Sequence, residues 1–373
     1  MRTVDRPEDI GLSQAGVDRL SDYMNHLVQT DRVVGMTVGL ARDGVLLKPL
    51  AFGRIAEQPD AEPVKGDTIF LTASVTKPVT CAAIGRLIEE GRIELDTPVI
   101  TVIPEFGQNG KQSVLIRHLL THTSGLPDMI PENIAYRKRF APLDDFLARM
   151  YALDLLFEPG TDIHYQSTGI AVLGEMVKRL TGVALPDYLH RTFFEPLGMP
   201  DTALGSAGIA LERIASVRLP AASESEAWSW NKPYWREFGA PWGGLFSTVR
   251  DMNLFLQMFL KGGTIEGVRV LLPETTALMI QNYSGAMTTV PDASKERESR
   301  GLGWRINDPR STYGIDTPPS ARTFGHNGAT GTVAWADPVS GLSCVLFTTQ
   351  PDMCDSVETR RCSDLVVEAD IRT

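Results

Sequence analysis

Ser74-Val75-Thr76-Lys77 links an extended segment, Thr68-Ile69-Phe70-Leu71, to a largely apolar helical run, Pro78-Val79-Thr80-Cys81-Ala82-Ala83-Ile84-Gly85-Arg86-Leu87-Ile88. Pro78 restricts what this stretch can fold into. Proline carries no N–H and is tolerated only in the first turn of a helix, so the helix must start close to Ser74. Residues three apart share a helix face, which brings the Lys77 amine near the Ser74 hydroxyl. At a helix start the orphan N–H groups and the positive dipole end favour an anionic oxygen and disfavour an ammonium. The stretch therefore reads as a nucleophile with its own base. The competing reading is plainer: Ser74 as a helix N-cap with Lys77 solvated nearby.

The tetrapeptide alone is weak evidence, because serines and lysines are frequent enough for chance to supply one. A second copy does occur, at Ser229-Trp230-Asn231-Lys232, among aromatics and immediately before Pro233. No apolar helix follows it, so it is not expected to be catalytic.

With 373 residues, 43% of them apolar, the chain can bury a large core as one large or two intimately joined domains. A net charge of −10 argues against nucleic acid or an anionic membrane surface as partner. The start, Met1-Arg2-Thr3-Val4-Asp5-Arg6, has no apolar h-region and no segment approaches a membrane span, so a cytoplasmic location is expected. Cys81, Cys344, Cys354 and Cys362 lack C-x-x-C spacing and read as free thiols. The six histidines lack paired ligand spacing, and no phosphate-binding or dinucleotide fingerprint occurs, so neither metal nor cofactor is expected.

Val17, Leu20, Met24 and Leu27 predict an amphipathic helix over 12–29. Apolar runs 33–41 and 45–52 flank Arg42-Asp43-Gly44, a hairpin signal. Helical patterns follow at 144–156, 168–181 and 186–195, and Thr248-Val249-Arg250-Asp251 offers a capping box for a helix to Phe259. Strand patterns return at 301–306, 322–326, 329–336 and 342–349, then a helix at about 355–369. The expected fold is α/β in the α+β sense. An antiparallel sheet flanked by helices is built from both termini (1–74 and 240–373), and a mainly helical region (75–239) is inserted, with the active site between them.

A Ser–Lys pair needs a proton relay and an oxyanion hole. Tyr165-Gln166-Ser167 follows the Pro159-Gly160 turn and precedes an apolar helix, so Tyr165 can serve as relay; equally, it can be a half-buried structural tyrosine. Gly325-His326-Asn327-Gly328-Ala329-Thr330-Gly331 lets backbone approach a ligand closely. The Ala329 and Ser74 amides together can bind a carbonyl oxygen. The plain alternative is a glycine-rich strand connection.

These motifs, in order with Leu119-Leu120-Thr121-His122-Thr123-Ser124-Gly125-Leu126 and Trp242-Gly243-Gly244-Leu245-Phe246-Ser247-Thr248, resemble the serine β-lactamase and penicillin-binding-protein superfamily. The pattern is most similar to its class C-like branch, which includes the family VIII carboxylesterases and D-amino-acid-releasing hydrolases. The resemblance implies a β-lactamase-like fold, Ser74 as acylated nucleophile, Lys77 and Tyr165 as base and proton shuttle, and Ser74 and Ala329 amides as oxyanion hole. Ser167, His326, Asn327, Gly328 and Trp242 then become substrate-binding candidates. Two departures stand out: His326 replaces the usual lysine of Lys-Thr-Gly, and Ser167 replaces a common asparagine. A histidine is a poorer anchor for a substrate carboxylate, which argues against β-lactam and peptide turnover.

The expected activity is hydrolysis of small carboxylic esters, with a small-molecule ester as the only expected partner and the oligomeric state open. β-Lactamase, D-aminopeptidase or amidase activity and acyl transfer to an alcohol are the enzymatic alternatives. A catalytically inactive penicillin-binding sensor is the non-enzymatic one. No serine lies in a complete G-x-S-x-G, so a Ser–His–Asp elbow is not the route.

Overall fold

The computed structural model describes residues 1–220, 227–307 and 315–372. Its main sheet takes strands from both ends of the chain. These are β1 (Arg2–Val4), β2 (Gly35–Arg42), β3 (Val45–Leu47) and β4 (Leu50–Gly53), with β10 (Arg305–Ile306), β11 (Phe324–Gly328), β12 (Thr332–Ala336) and β13 (Leu342–Thr348). The order is β1-β3-β2-β13-β12-β11-β10, with β4 pairing to β2; among the described residues of this sheet only the β1–β3 pair is parallel. A small sheet, β5 (Phe70–Leu71), β7 (Leu245–Ser247) and β6 (Ala203–Leu204), lies under the start of the helix that carries Lys77, and β8 (Thr264–Ile265) and β9 (Val268–Arg269) form a hairpin.

The period of two along the central strands sorts side chains to opposite faces. Val38, Leu40, Val333, Trp335, Cys344 and Leu346 join the core formed with helices Gln14–Gln29 and Val357–Glu368. Ala334, Ala336, Val345 and Phe347 join the larger core on the other face, under helix Val249–Leu260. Both faces are covered, so every residue of β2 is buried. Helix Val249–Leu260 is tied to the sheet by polar side chains: Asn253 Nδ2 donates to the Gly39 carbonyl at 3.0 Å, and Ser343 Oγ donates to Asn253 Oδ1 at 2.7 Å.

The hairpin read at Asp43-Gly44 forms, with φ of 55° and 79° at the two turn residues, the left-handed pair that a tight antiparallel turn requires. Other expectations need correction. The helix read over 144–156 spans Leu143–Tyr151, because the chain turns away so that the Leu156 amide can donate to the Gly125 carbonyl at 2.7 Å. Of 301–306 only Arg305–Ile306 is strand; Gly303, at φ 84°, turns there and packs against Cys81. Thr248 caps its helix by accepting from the Asp251 amide at 3.2 Å, but Asp251 spends its carboxylate on the Asp201 amide and Thr202, so the reciprocal half of the capping box is missing.

The helix carrying Lys77 runs Thr76–Glu89 and follows a single 3-10 turn, Ala73–Val75, as Pro78 demands. Ser74 makes no side-chain cap at this helix start. Cys81, Cys344 and Cys362 are buried and Cys354 half-buried, all as free thiols. No helix is long and apolar enough to cross a membrane among the described residues.

Candidate active site

Three separate segments converge on Ser74. The first is its own turn. Ala73 takes a left-handed backbone, φ 46°, which is unusual for a side chain with a Cβ and bends the chain sharply just before Ser74. Half-exposed Ser74 faces outward, and Lys77, fully buried, donates from Nζ to Ser74 Oγ at 3.0 Å and to the Trp242 carbonyl at 2.9 Å. Trp242 thus enters the site through its backbone while its ring packs in the core against Phe146 and Phe238.

The second segment is the loop before helix Thr168–Thr181, and it is clamped at several points. The Ser167 amide donates to Asp128 Oδ1 at 2.8 Å, the Gln166 amide donates to His122 Nδ1 at 3.0 Å, and Ser124 Oγ donates to Gln166 Oε1. Tyr165 projects from this clamped loop, half-buried, with the Lys77 amine 4.7 Å from its ring centroid. The His122 ring stacks on it at 5.1 Å and 24°, and His326 lies 6.1 Å away.

The third segment is the β11–β12 turn. The Thr330 hydroxyl donates to the Leu71 carbonyl at 2.6 Å and Thr332 Oγ1 to the Thr72 carbonyl at 2.8 Å, which seats the turn beside the segment that leads into Ser74. A Cβ placed on Gly328 would meet the Thr72 carbonyl at 2.2 Å, so the backbones touch there because the residue is glycine. Ala329 is exposed at the tip.

The other proposed contact residues lie close by but differ in access. Asn327 is half-exposed, whereas Ser167, Gly328, Trp242 and His326 are buried, His326 completely. His326 Nδ1 is within 2.7 Å of the Asn327 carbonyl. Burial, then the nearby charges of Arg300, Lys77 and Arg305, hold its imidazole well below the usual range, so it is neutral. His122 is neutral for the same leading cause, burial.

Arg300 and Arg305 were invisible to the motif reading. Their guanidinium carbons stand 5.4 and 6.0 Å from the Tyr165 ring centroid, and both pair with Glu298. The two guanidinium groups and the Lys77 amine thus stand around the Tyr165 ring, with the Glu298 carboxylate shared by both arginines. His122 was visible only as part of a motif, without a role. Ser229, in the second Ser-x-x-Lys, lies in the wall of a separate cavity.

A hydroxyl hydrogen-bonded by a buried amine, a tyrosine over that amine and an exposed backbone turn alongside are what acyl transfer through a serine requires. The β-lactamase family profile matches residues 20–365. The chain belongs to the β-lactamase family. This β-lactamase-family protein is 31% identical over 344 residues to an uncharacterized protein of Mycobacterium tuberculosis, covering 82% of this chain and 81% of that one. A penicillin-binding-protein homolog from Caulobacter crescentus superposes with TM-score 0.80 at 24% identity, over 96% of this chain and 99% of that one. A family VIII carboxylesterase superposes with TM-score 0.77 at 22% identity, over 96% and 99%. These likenesses establish the fold, and family membership makes the chain an enzyme of a serine hydrolase superfamily.

Proposed function

We propose that the protein hydrolyses small carboxylic esters through an acyl-Ser74 intermediate. The observation that carries the reading is the 3.0 Å hydrogen bond between Lys77 Nζ and Ser74 Oγ, with Tyr165 held over the same amine. Ser74 Oγ attacks the ester carbon as its proton passes to the Lys77–Tyr165 unit. The carbonyl oxygen, now negative, is received by the Ser74 and Ala329 amides. When the carbon–oxygen bond to the alcohol breaks, the same unit returns a proton to the departing oxygen. Water then attacks the acyl carbon by the reverse sequence, giving a free acid and restoring Ser74.

Esters are favoured over β-lactams and peptides by the chemistry at position 326. A neutral, fully buried imidazole offers no charge-assisted contact to a substrate carboxylate. A module that binds its ligand without a covalent bond is disfavoured, because it has no need to hold a lysine against the serine.

Intact-mass analysis after exposure to neutral esters, a cephalosporin and D-aminoacyl amides tests the assignment, with Ser74→Ala as control. Transient acylation of the wild type by esters, absent in the variant, is expected. Cephalosporin turnover rivalling that of esters would reverse the preference.

A further inference from the structure

His122 touches three consecutive residues of the loop that carries Tyr165. Its backbone carbonyl accepts from the His164 amide at 2.9 Å and its ring Nδ1 accepts from the Gln166 amide at 3.0 Å. Between them its ring stacks on Tyr165, with centroids 5.1 Å apart and planes at 24°. The backbone of His122 is left-handed, φ 60°, a conformation that is strained for a residue with a Cβ and persists where the surroundings impose it. Those surroundings are braced: the Thr123 amide donates to the His118 carbonyl at 2.9 Å, the Gly160 amide to the Thr123 carbonyl at 2.7 Å, and the Thr121 and Thr123 hydroxyls bond each other at 2.9 Å. Because Nδ1 accepts, the ring, kept neutral by burial, carries its proton on Nε2. That Nε2 meets no acceptor among the described residues, although His122 is fully buried. A buried, unbonded N–H is a cost that a phenyl ring in the same place would not carry, so filling space does not account for the residue. Histidine supplies together what phenylalanine and asparagine supply separately: a flat face for Tyr165 and an acceptor for the Gln166 amide.

A tyrosine that relays a proton has to present its hydroxyl first to the serine and then to the departing oxygen, so its side chain must be held closely about both of its rotatable bonds. Lys77, with its amine 4.7 Å from the ring centroid, does not do this alone, because a cation over an aromatic face is attracted whichever way the ring is turned in its own plane. A flat neighbour fixes the plane of the ring, and hydrogen bonds to the residues before and after it fix the backbone from which it projects. We propose that His122 is a positioning residue of the reaction, acting through Tyr165: it grips the loop at His164 and Gln166 and the ring by its face, and so places the phenol oxygen on the path of the proton. The inference rests on the relay role given to Tyr165 above.

Two variants divide the contacts. His122→Asn offers an acceptor to the Gln166 amide and suits a left-handed backbone but has no ring; His122→Phe keeps the ring and has no acceptor. Each retains one of the two ring contacts, and the comparison can be run with either. Either should lower the single-turnover acylation rate at saturating p-nitrophenyl acetate by roughly 10- to 100-fold, while the half-saturating ester concentration stays within about twofold. In a Tyr165→Phe background the same substitution should cost less than about twofold, since no hydroxyl is left to place. A residue that only supports the fold would lower the thermal midpoint and subtract equally in both backgrounds. A second readout needs no turnover: the ¹⁹F line of Tyr165 in protein labelled with 3-fluorotyrosine, identified by its absence from Tyr165→Phe. Either His122 variant should move that line toward the position of the free amino acid. Near-normal rates in Tyr165→Phe would remove the relay and, with it, the purpose of the positioning. A severe loss in Tyr165→Phe with an unmoved fluorine line, or with equal His122 losses in both backgrounds, overturns the positioning alone and leaves the hydrolytic reading standing.

Discussion

Lys77 meets Tyr165 through the face of the ring: the amine stands 4.7 Å from the ring centroid while donating to Ser74 Oγ and to the Trp242 carbonyl. One nitrogen therefore ties Ser74, Tyr165 and the core aromatic segment together. A side chain with three simultaneous neighbours is not free to be replaced by a cation of another shape.

Lys77→Ala and Tyr165→Phe should each lower the acylation rate by roughly 10²-fold or more, and the double variant should be little worse than the poorer single one. Lys77→Arg should be as damaging as Lys77→Ala, because a guanidinium keeps its proton at every working pH. Single-turnover rates with a chromogenic ester decide this. Additive losses would mean that the two residues act separately.

Three buried imidazoles make stability depend on pH. Burial lowers His118 to about 4 and holds His122 and His326 well below the ordinary value of 6.5. The folded-state values lie under the unfolded ones, so the unfolded chain takes up protons first as pH falls. Stability is fully present above about pH 6.5 and declines below it, down to about pH 4 for His118 and further for the other two. His118 alone should account for on the order of 3 kcal/mol across that window. Thermal midpoints against pH for wild type and His118→Gln are the measurement; parallel curves would refute the assignment.

Arg42 and Asp370 form an ion pair with both side chains buried, and Arg42 Nη1 also donates to the Ile10 carbonyl at 2.9 Å. Asp370→Ala leaves the guanidinium without its carboxylate inside the protein, at an expected cost of about 3–5 kcal/mol. Arg42→Met with Asp370→Leu should recover much of that loss. Urea unfolding of the three chains tests it, and a double variant no more stable than Asp370→Ala would show that packing, not the stranded charge, sets the cost.

His326→Lys restores the residue type usual at this position but adds a cation to a closed site already facing Lys77, Arg300 and Arg305. The expected outcome is a lower thermal midpoint with no gain in cephalosporin turnover. A variant that is as stable as wild type and hydrolyses cephalosporins faster would show that the strand has room to present the amine to substrate.

Much of the fold was legible because it follows local rules. The helix Gln14–Gln29, the turn at Asp43-Gly44 and the paired terminal strands come from periodicity and turn chemistry. The start of helix Thr76–Glu89 follows from a single proline. Arg300 and Arg305 were not legible, since nothing near them in sequence says that their charges will stand beside a tyrosine 135 residues or more earlier in the chain. Helix Leu143–Tyr151 ended early because Leu153-Asp154-Leu155-Leu156-Phe157 kept an apolar composition while its backbone was claimed by a distant loop.

Gly328 acts as a spacer of zero thickness. The strand turn and the Ser74 turn come from stretches more than 250 residues apart, and their separation is fixed where the Gly328 backbone rests on the Thr72 carbonyl with no methyl group between them. In the proposed mechanism, the spacing between the two amides that receive the carbonyl oxygen is thereby gauged by one missing carbon atom, so part of the fit to substrate is written in the main chain. Side chains around the two amides can change what is bound, but the spacing itself has been left to glycine.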